Sequence, residues 1–417
     1  MLKKAILIFA GVYLGLFSSN AAVSHVIHFT VDGLSGYCIK GFLETNAAAF
    51  PNFKRLQRES ACTYNARCDY DYSETIQNHI TIFTARPVNQ PSGVSTNVNH
   101  GYGASASGTI HSASPAFYKA SFMDVAHDRG LKVAVFLGKT KISMCIDSYN
   151  AQNGAADAIG EDNGKQKYDH ALIASTTPSL LTYMTNILAT NPPNYVFFHF
   201  VETDTVGHSS GWFSTQWSNT LVTIDGWLGQ IFDTIDKSAL LSNNTAIVLT
   251  ADHGGGGDPG TKAEHFQPDK LYNYTVPIFV KGPGFLPGTD LYQYFSNRFD
   301  PGTNRVVQDA GVSQPLRNGD TANIALMLLG LPPIPGSYWQ PQYLSPYQPI
   351  AVELVKSQNK LTLRWQLQSG FIPEFTDNLS GGWTPISTDI QSNETHCFIE
   401  IQPTQQIPSR FYRLKKN

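Results

Sequence analysis

Three apolar runs in this chain lead into an acidic residue. Val26 to Val31 meets Asp32-Gly33, Tyr195 to Val201 is followed by Asp204, and Thr245 to Ala251 runs into Asp252-His253 and four glycines. Between and around them lie segments with helical spacing: Asn52 to Glu59, Ser114 to Arg129 ended by Gly130, Ser179 to Ala189, Phe213 to Asp236, and Thr321 to Leu329 ended by Gly330. Further strands read at Lys132 to Leu137 and Val276 to Val280. Apolar strands separated by helices predict an α/β fold, a mostly parallel central sheet flanked by helices. In such sheets ligands gather beyond the carboxyl ends of the strands, which is where these acidic residues fall.

The composition narrows the class. Of the 417 residues 15% are charged and 41% hydrophobic, which excludes a disordered, highly charged tail protein. A formal charge of −3 gives no electrostatic reason to expect nucleic acid as a partner. Residues 1–22 read as a signal peptide. Lys3 and Lys4 precede an apolar run of 13 residues, Ala5 to Phe17, too short to span a bilayer, and small residues up to Ala22 follow. The expected location is therefore outside the cytosol, periplasmic or extracellular, with no stable membrane span. Five cysteines are too few for a disulfide scaffold of this size, and whether Cys62 and Cys68 pair is left open. After Leu331 the chemistry changes. Residues 332–349 hold six prolines, and residues 350–417 alternate apolar and polar positions, as in Leu361 to Trp365 and Cys397 to Ile401. The expected organisation is a catalytic α/β domain over 23–345 and a small all-β module over 350–417. That module would contact glycan or cell surface, or only stabilise; core packing is the plainer role for Trp365 and Trp383.

The strand-end residues share a chemistry. Asp32, Asp204, His208, Asp252, His253 and the later His265 are carboxylates and imidazoles without thiolate. Singly each is ordinary, since an Asp at a strand end is usually a turn or cap. Together on one sheet edge they suit catalytic zinc. Three Asp and three His exceed one open zinc site and fit two zinc ions sharing the set, other divalent metals being possible. Two metals about 4 Å apart clamp the attacking and leaving oxygens of a phosphoryl displacement. The remaining ligand should be the nucleophile, and Thr75, near the start of an apolar helical stretch, is the choice. A metal turns a weak alcohol into an effective attacking group. Two dications against three aspartates and one alkoxide balance to neutrality.

In order, Asp32, Thr75-x-x-Asn78-His79, Asp204-x-x-x-His208, Asp252-His253-Gly254 and His265 resemble the alkaline phosphatase superfamily, most closely its nucleotide pyrophosphatase/phosphodiesterase branch. The resemblance implies one zinc on Asp204, His208 and His265 and a second on Asp32, Asp252, His253 and Thr75. It also implies a small-molecule phosphoester substrate and double displacement through a phospho-threonine. An asparagine about twenty residues beyond the threonine would touch phosphate, Asn97 in preference to Asn99. Gly138-Lys139-Thr140-Lys141 resembles a Lys-x-Arg element that clamps dianionic phosphate in threonine-type monoesterases, with Lys141 in place of Arg.

The departures define the alternatives. Gln77 stands where the phosphodiesterases usually show Pro, and His265 follows His253 at short range. A phosphomonoesterase is favoured if Lys139 and Lys141 face the phosphate, and a non-catalytic surface-binding protein if the metals are missing. The sulfatase pattern Cys/Ser-x-Pro-x-Arg occurs once, at Ser313 to Arg317, after every metal ligand rather than between the first two, as a chance match.

Overall fold

The computed structural model describes residues 23–258 and 264–344, and beyond them the segments 353–357, 360–366, 371–376, 384–386, 390–392, 396–401 and 411–416. The signal segment 1–22, residues 345–349 of the proline-rich stretch and Trp383 lie outside the described residues. The chain divides into two units, 1–344 and 345–417.

The first unit is built on seven strands: β1 (His25–Val31), β2 (Ala61–Arg67), β3 (Val133–Leu137), β4 (His170–Ile173), β5 (Tyr195–Phe200), β6 (Thr245–Thr250) and β7 (Thr275–Lys281). Their order is β2-β7-β6-β1-β5-β3-β4. The pairs among β6, β1, β5, β3 and β4 are parallel, while β7 runs antiparallel to both β6 and β2. The helices are α1 (Gly36–Thr45), α2 (Pro51–Glu59), α3 (Thr75–Thr84), α4 (Phe122–His127), α5 (Met144–Asp147), α6 (Thr177–Thr190), α7 (Glu202–Ser210), α8 (Thr215–Lys237), α9 (Leu271–Tyr274) and α10 (Thr321–Leu328). The protein is thus a mixed α/β fold with a mostly parallel central sheet flanked by helices.

The register explains why the acidic ends meet. Strands β6, β1 and β5 are the three central neighbours, with Val31 level with Phe200 and Thr30 level with Thr250. Their carboxyl ends therefore deliver Asp32, α7 and Asp252-His253 to one place. The strands are buried on both faces, which is why they read as near-continuous apolar runs.

Local chemistry corrects one expectation. The segment Ser114 to Arg129 is helical only over Phe122–His127. A capping box sets its start: Ser121 Oγ accepts from the Met123 N–H, and Asp124 Oδ2 accepts from the Ser121 N–H at 2.8 Å. Strand β2, α1 and β4 carry no strong periodic signal and emerge only through pairing and packing. The proline-rich stretch, as far as Leu344, is a packed strap: the Tyr338 and Trp339 N–H groups both donate to the carbonyl of Ala85, just past α3. Among the described residues no cysteines are paired.

The second unit holds two small sheets. One has three strands centred on Phe371–Thr376, and one has four with Lys360–Gln366 and His396–Ile401 at its middle. All their pairings are antiparallel.

Candidate metal centre

Asp32 follows β1 directly, and Asp252-His253 follow β6. Helix α7 begins as soon as β5 ends, and it carries Asp204 and His208 four apart, on one face. His265 comes from the loop before α9, and Thr75 is the first residue of α3. Six of these seven side chains are essentially buried; His208 is partly open.

They form two groups that share His253. Asp32, Asp252 and His253 offer ligand atoms within 4.8 Å of one another, as do Asp204, His253 and His265. His208 joins the second group, with Nε2 3.3 Å from Asp204 Oδ1 and 3.1 Å from His265 Nε2. Thr75 Oγ1 stands 3.3 Å from His253 Nε2.

The histidines are pre-oriented. His253 Nδ1 faces the Gly254 carbonyl at 2.7 Å, His265 Nδ1 faces the Ser73 carbonyl at 2.6 Å, and His208 Nδ1 faces Glu264 Oε2 at 2.5 Å. Each partner accepts, so each Nδ1 carries the proton and each Nε2 presents a bare lone pair inward. What those lone pairs meet is oxygen. Asp32 Oδ1, Asp204 Oδ1 and Asp252 Oδ2 are buried and without hydrogen-bond partners, one oxygen from each aspartate. Bare nitrogens converging on unpaired carboxylate oxygens repel one another unless a cation lies between them. The donor set therefore fits divalent metal, and oxygen and imidazole donors without sulfur are the chemistry zinc accepts.

The opposite oxygens are held by the protein. Asp252 Oδ1 accepts from the Gly33 N–H at 3.1 Å. Asp32 Oδ2 accepts from His199 Nε2 at 3.0 Å, and His199 is itself fixed by the Gly138 N–H donating to Nδ1. Lys139 reaches Asp32 Oδ2 at 2.7 Å and Asp204 Oδ2 at 2.5 Å. Burial alone would raise the Asp32 carboxyl, but Lys139, His199 and His253 outweigh it and hold it well below the usual range. Burial, then the charge of Asp32, pushes Asp252 well above it. Burial also holds His265 down to about 3, leaving it neutral.

The remaining sequence candidates divide. Lys139 enters the cluster, but against carboxylates. Lys141 is exposed, and so is Asn97, whose backbone carbonyl takes a 3.5 Å contact from Arg86. Asn99 is buried, with Nδ2 donating to the Val88 carbonyl. Ser313 is exposed on the surface. Sequence reasoning missed His199 and Glu264. The signal for His199 was a lone histidine inside the apolar run Tyr195-Val-Phe-Phe-His-Phe200. It also left the glycines after His253 unexplained: a Cβ at Gly255 would sit 2.0 Å from Trp212, whose indole N–H donates to the Gly33 carbonyl beneath the site. Asn78 ties down the loop before Thr75, donating to the carbonyls of Tyr72 and Glu74 and accepting from the Asp69 N–H.

Residues 26–267 match the family described as type I phosphodiesterase / nucleotide pyrophosphatase. The chain belongs to that family. Members of this family are metal-dependent; the chain is a phosphoester hydrolase, and its carboxylate and imidazole groups could bind metal. Among solved structures it is similar to murine ectonucleotide pyrophosphatase/phosphodiesterase 5, an inactive variant in complex with AMP, at 13% identity over 76% of this chain and 98% of that one, with a TM-score of 0.48. An alkaline phosphatase superfamily protein from Vibrio parahaemolyticus matches at 12% identity over 82% of this chain and 74% of its own, TM-score 0.47. A 2-O GAG sulfatase matches at 12% over 82% and 80%, TM-score 0.47. No curated protein matches the chain. No helix among the described residues is long and apolar enough to cross a membrane.

Proposed function

We propose that the chain is a secreted phosphodiesterase of the nucleotide pyrophosphatase type, with Thr75 as nucleophile and two zinc ions. One ion would be held by Asp204, His208 and His265, the other by Asp32, Asp252, His253 and Thr75. The observation that carries this reading is the convergence of three unpaired carboxylate oxygens, three inward Nε2 atoms and the Thr75 hydroxyl. When bound, such ions offset the aspartate charges, make the hydroxyl more acidic and polarise phosphoryl oxygens.

The chain's own residues do the rest. Thr75 opens α3, so backbone N–H groups at the helix start face an incoming phosphate. His79 Nδ1 donates to the Thr75 carbonyl at 2.8 Å and, with Asn78, fixes where the hydroxyl points. In the first displacement the Thr75 oxygen bonds to phosphorus and the ester oxygen leaves as alcohol. In the second, water breaks the phospho-threonine bond and restores the hydroxyl. Lys139 is engaged by Asp32 and Asp204, and Lys141 lies exposed, so the paired-lysine grip that a dianionic monoester needs is not assembled. That favours diesters over monoesters. Secretion rests on the sequence of residues 1–22, and residues 350–417 are proposed as an appended glycan- or surface-contacting module.

The test is metal analysis of the purified chain beside turnover of an aryl diester and the matching monoester. Two tightly held zinc ions per chain and a higher kcat/KM for the diester are expected. Fewer than two metals would overturn the two-zinc reading, and a preference for the monoester would move the chain to the phosphomonoesterases.

A further inference from the structure

Six of the seven candidate ligands, Asp32, Thr75, Asp204, Asp252, His253 and His265, are no more than 2% exposed. Only His208 meets solvent, with 33% of its side chain open. An ester entering the site therefore arrives over His208. Beside it on that side is Phe266, 56% exposed. Its ring lies 5.6 Å from that of His208 at 29°, and 4.3 Å from that of His265. A single exposed phenyl is ordinary on a protein surface. One laid against two site histidines, at the open side of an otherwise buried polar cluster, is an apolar face available to the part of the substrate that stays outside.

Two features fix its character. The neighbouring His265 is anchored by its Nδ1 contact with Ser73, and the Ser73 hydroxyl donates back to the His265 carbonyl, so the backbone that carries Phe266 is held. Glu264 stands on the same rim, 51% exposed, against His208 Nδ1. Its contact holds the His208 ring against which Phe266 lies.

We infer that Phe266 is a specificity-determining residue that stacks the leaving group, selecting aromatic alcohols over small alkyl alcohols. This rests on the proposed function, which puts the reacting phosphoryl group against the Asp204, His208 and His265 end. Aromatic stacking is sequence-tolerant and depends on the ring face rather than on hydrogen bonds.

The test is calorimetric titration of the full-length, zinc-supplied protein with methanesulfonate and benzenesulfonate, which carry one negative charge, as a phosphodiester does, and are not hydrolysed. The wild type should bind benzenesulfonate about tenfold more tightly than methanesulfonate. Phe266→Ala should erase that preference, leave methanesulfonate within about twofold and keep its zinc, while Phe266→Tyr should retain the preference. If methanesulfonate binds but the phenyl group brings nothing, or if Phe266→Ala keeps the preference, the platform is wrong and the proposed function stands. Loss of zinc in Phe266→Ala would make the ring a structural support and overturn the inference. If neither sulfonate binds the wild type, the proposed site fails and the platform with it.

Discussion

Two clusters in this protein draw on the same residue types and differ in one respect. His127, Asp128 and Asp157 lie together as a possible ligand set, just as Asp32, Asp252 and His253 do. In the first, every carboxylate oxygen has a partner. Asp157 Oδ1 takes Lys167 and His127, its Oδ2 takes the Asn163 N–H, and Asp128 takes Lys167 on one oxygen and the Ala158 N–H on the other. In the second, Lys139 occupies only the outer oxygens, and one oxygen of each aspartate stays bare. The first cluster contains its own cation and pins a loop. The second is complete only with cations supplied from outside. An acidic cluster is thus not by itself a site; what distinguishes one is the unsatisfied, pre-oriented donor set.

The comparison breaks first at Thr75. Thr75→Ala removes the attacking oxygen and little else, since the neighbouring His253 and the aspartates remain. Turnover of an aryl diester should fall on the order of 10⁴-fold or more, with zinc content nearly unchanged. Unchanged kcat would remove Thr75 from the chemistry and leave the bare oxygens without a nucleophile to serve.

Metal removal separates the clusters next. Chelation should lower the melting temperature and leave a protein whose three aspartates crowd one another. Restoring zinc at about 100 times its Kd should return roughly 2.7 kcal/mol per site. Asp252→Ala should lose zinc and this response together, measured by metal content and thermal melting. Asp157→Ala should keep both its zinc and the full response. Equal metal loss in the two variants would mean the Asp128/Asp157 cluster also binds metal.

The sequence made the sheet and its acidic edge legible because buried parallel strands are written as apolar runs, and the chain leaves those strands at Asp32, at the start of α7 with Asp204, and at Asp252. It also made α8 legible, through helical spacing sustained over Thr215–Lys237. What stayed hidden depends on contacts far apart in the chain. Strand β2 is held at the sheet edge by β7, more than 200 residues away. His199 looks like one more strand residue until β1 places Asp32 above it. Lys139 sits in a short loop where a solvated lysine is the ordinary outcome, and only the convergence of β1, β3 and β5 brings two carboxylates to it. Glu264 lies beside the undescribed 259–263, where the polar sequence carries no periodic signal.

Lys167 tests the self-contained cluster. Its ammonium is fully buried between Asp128 and Asp157. Lys167→Met takes the ammonium from Asp157 and Asp128 and leaves Asp157 with His127 and the Asn163 N–H, a loss of about 1–3 kcal/mol for a removed charged hydrogen-bond partner. Denaturant melts should show it, and zinc content should not change. Loss of zinc here would tie together two regions that the contacts keep apart.

The smallest effect is in pH. Burial would raise the Asp157 carboxyl, but the hydrogen bond from Lys167, the Asn163 N–H and the neighbouring Asp128 and His127 hold it below its usual range. Its folded value is therefore lower than its unfolded value of about 3.9. Below that pH the unfolded chain takes up a proton that the folded chain still refuses, so the stability this carboxylate contributes is present above about pH 4 and drains away as pH falls. Comparing wild type with Asp157→Asn in denaturant melts between neutral and acid pH should show a gap on the order of 1 kcal/mol that narrows on acidification. A gap that stays constant would mean Asp157 acts through its shape and its neutral hydrogen bonds, and the pairing with Lys167 would then contribute packing more than charge.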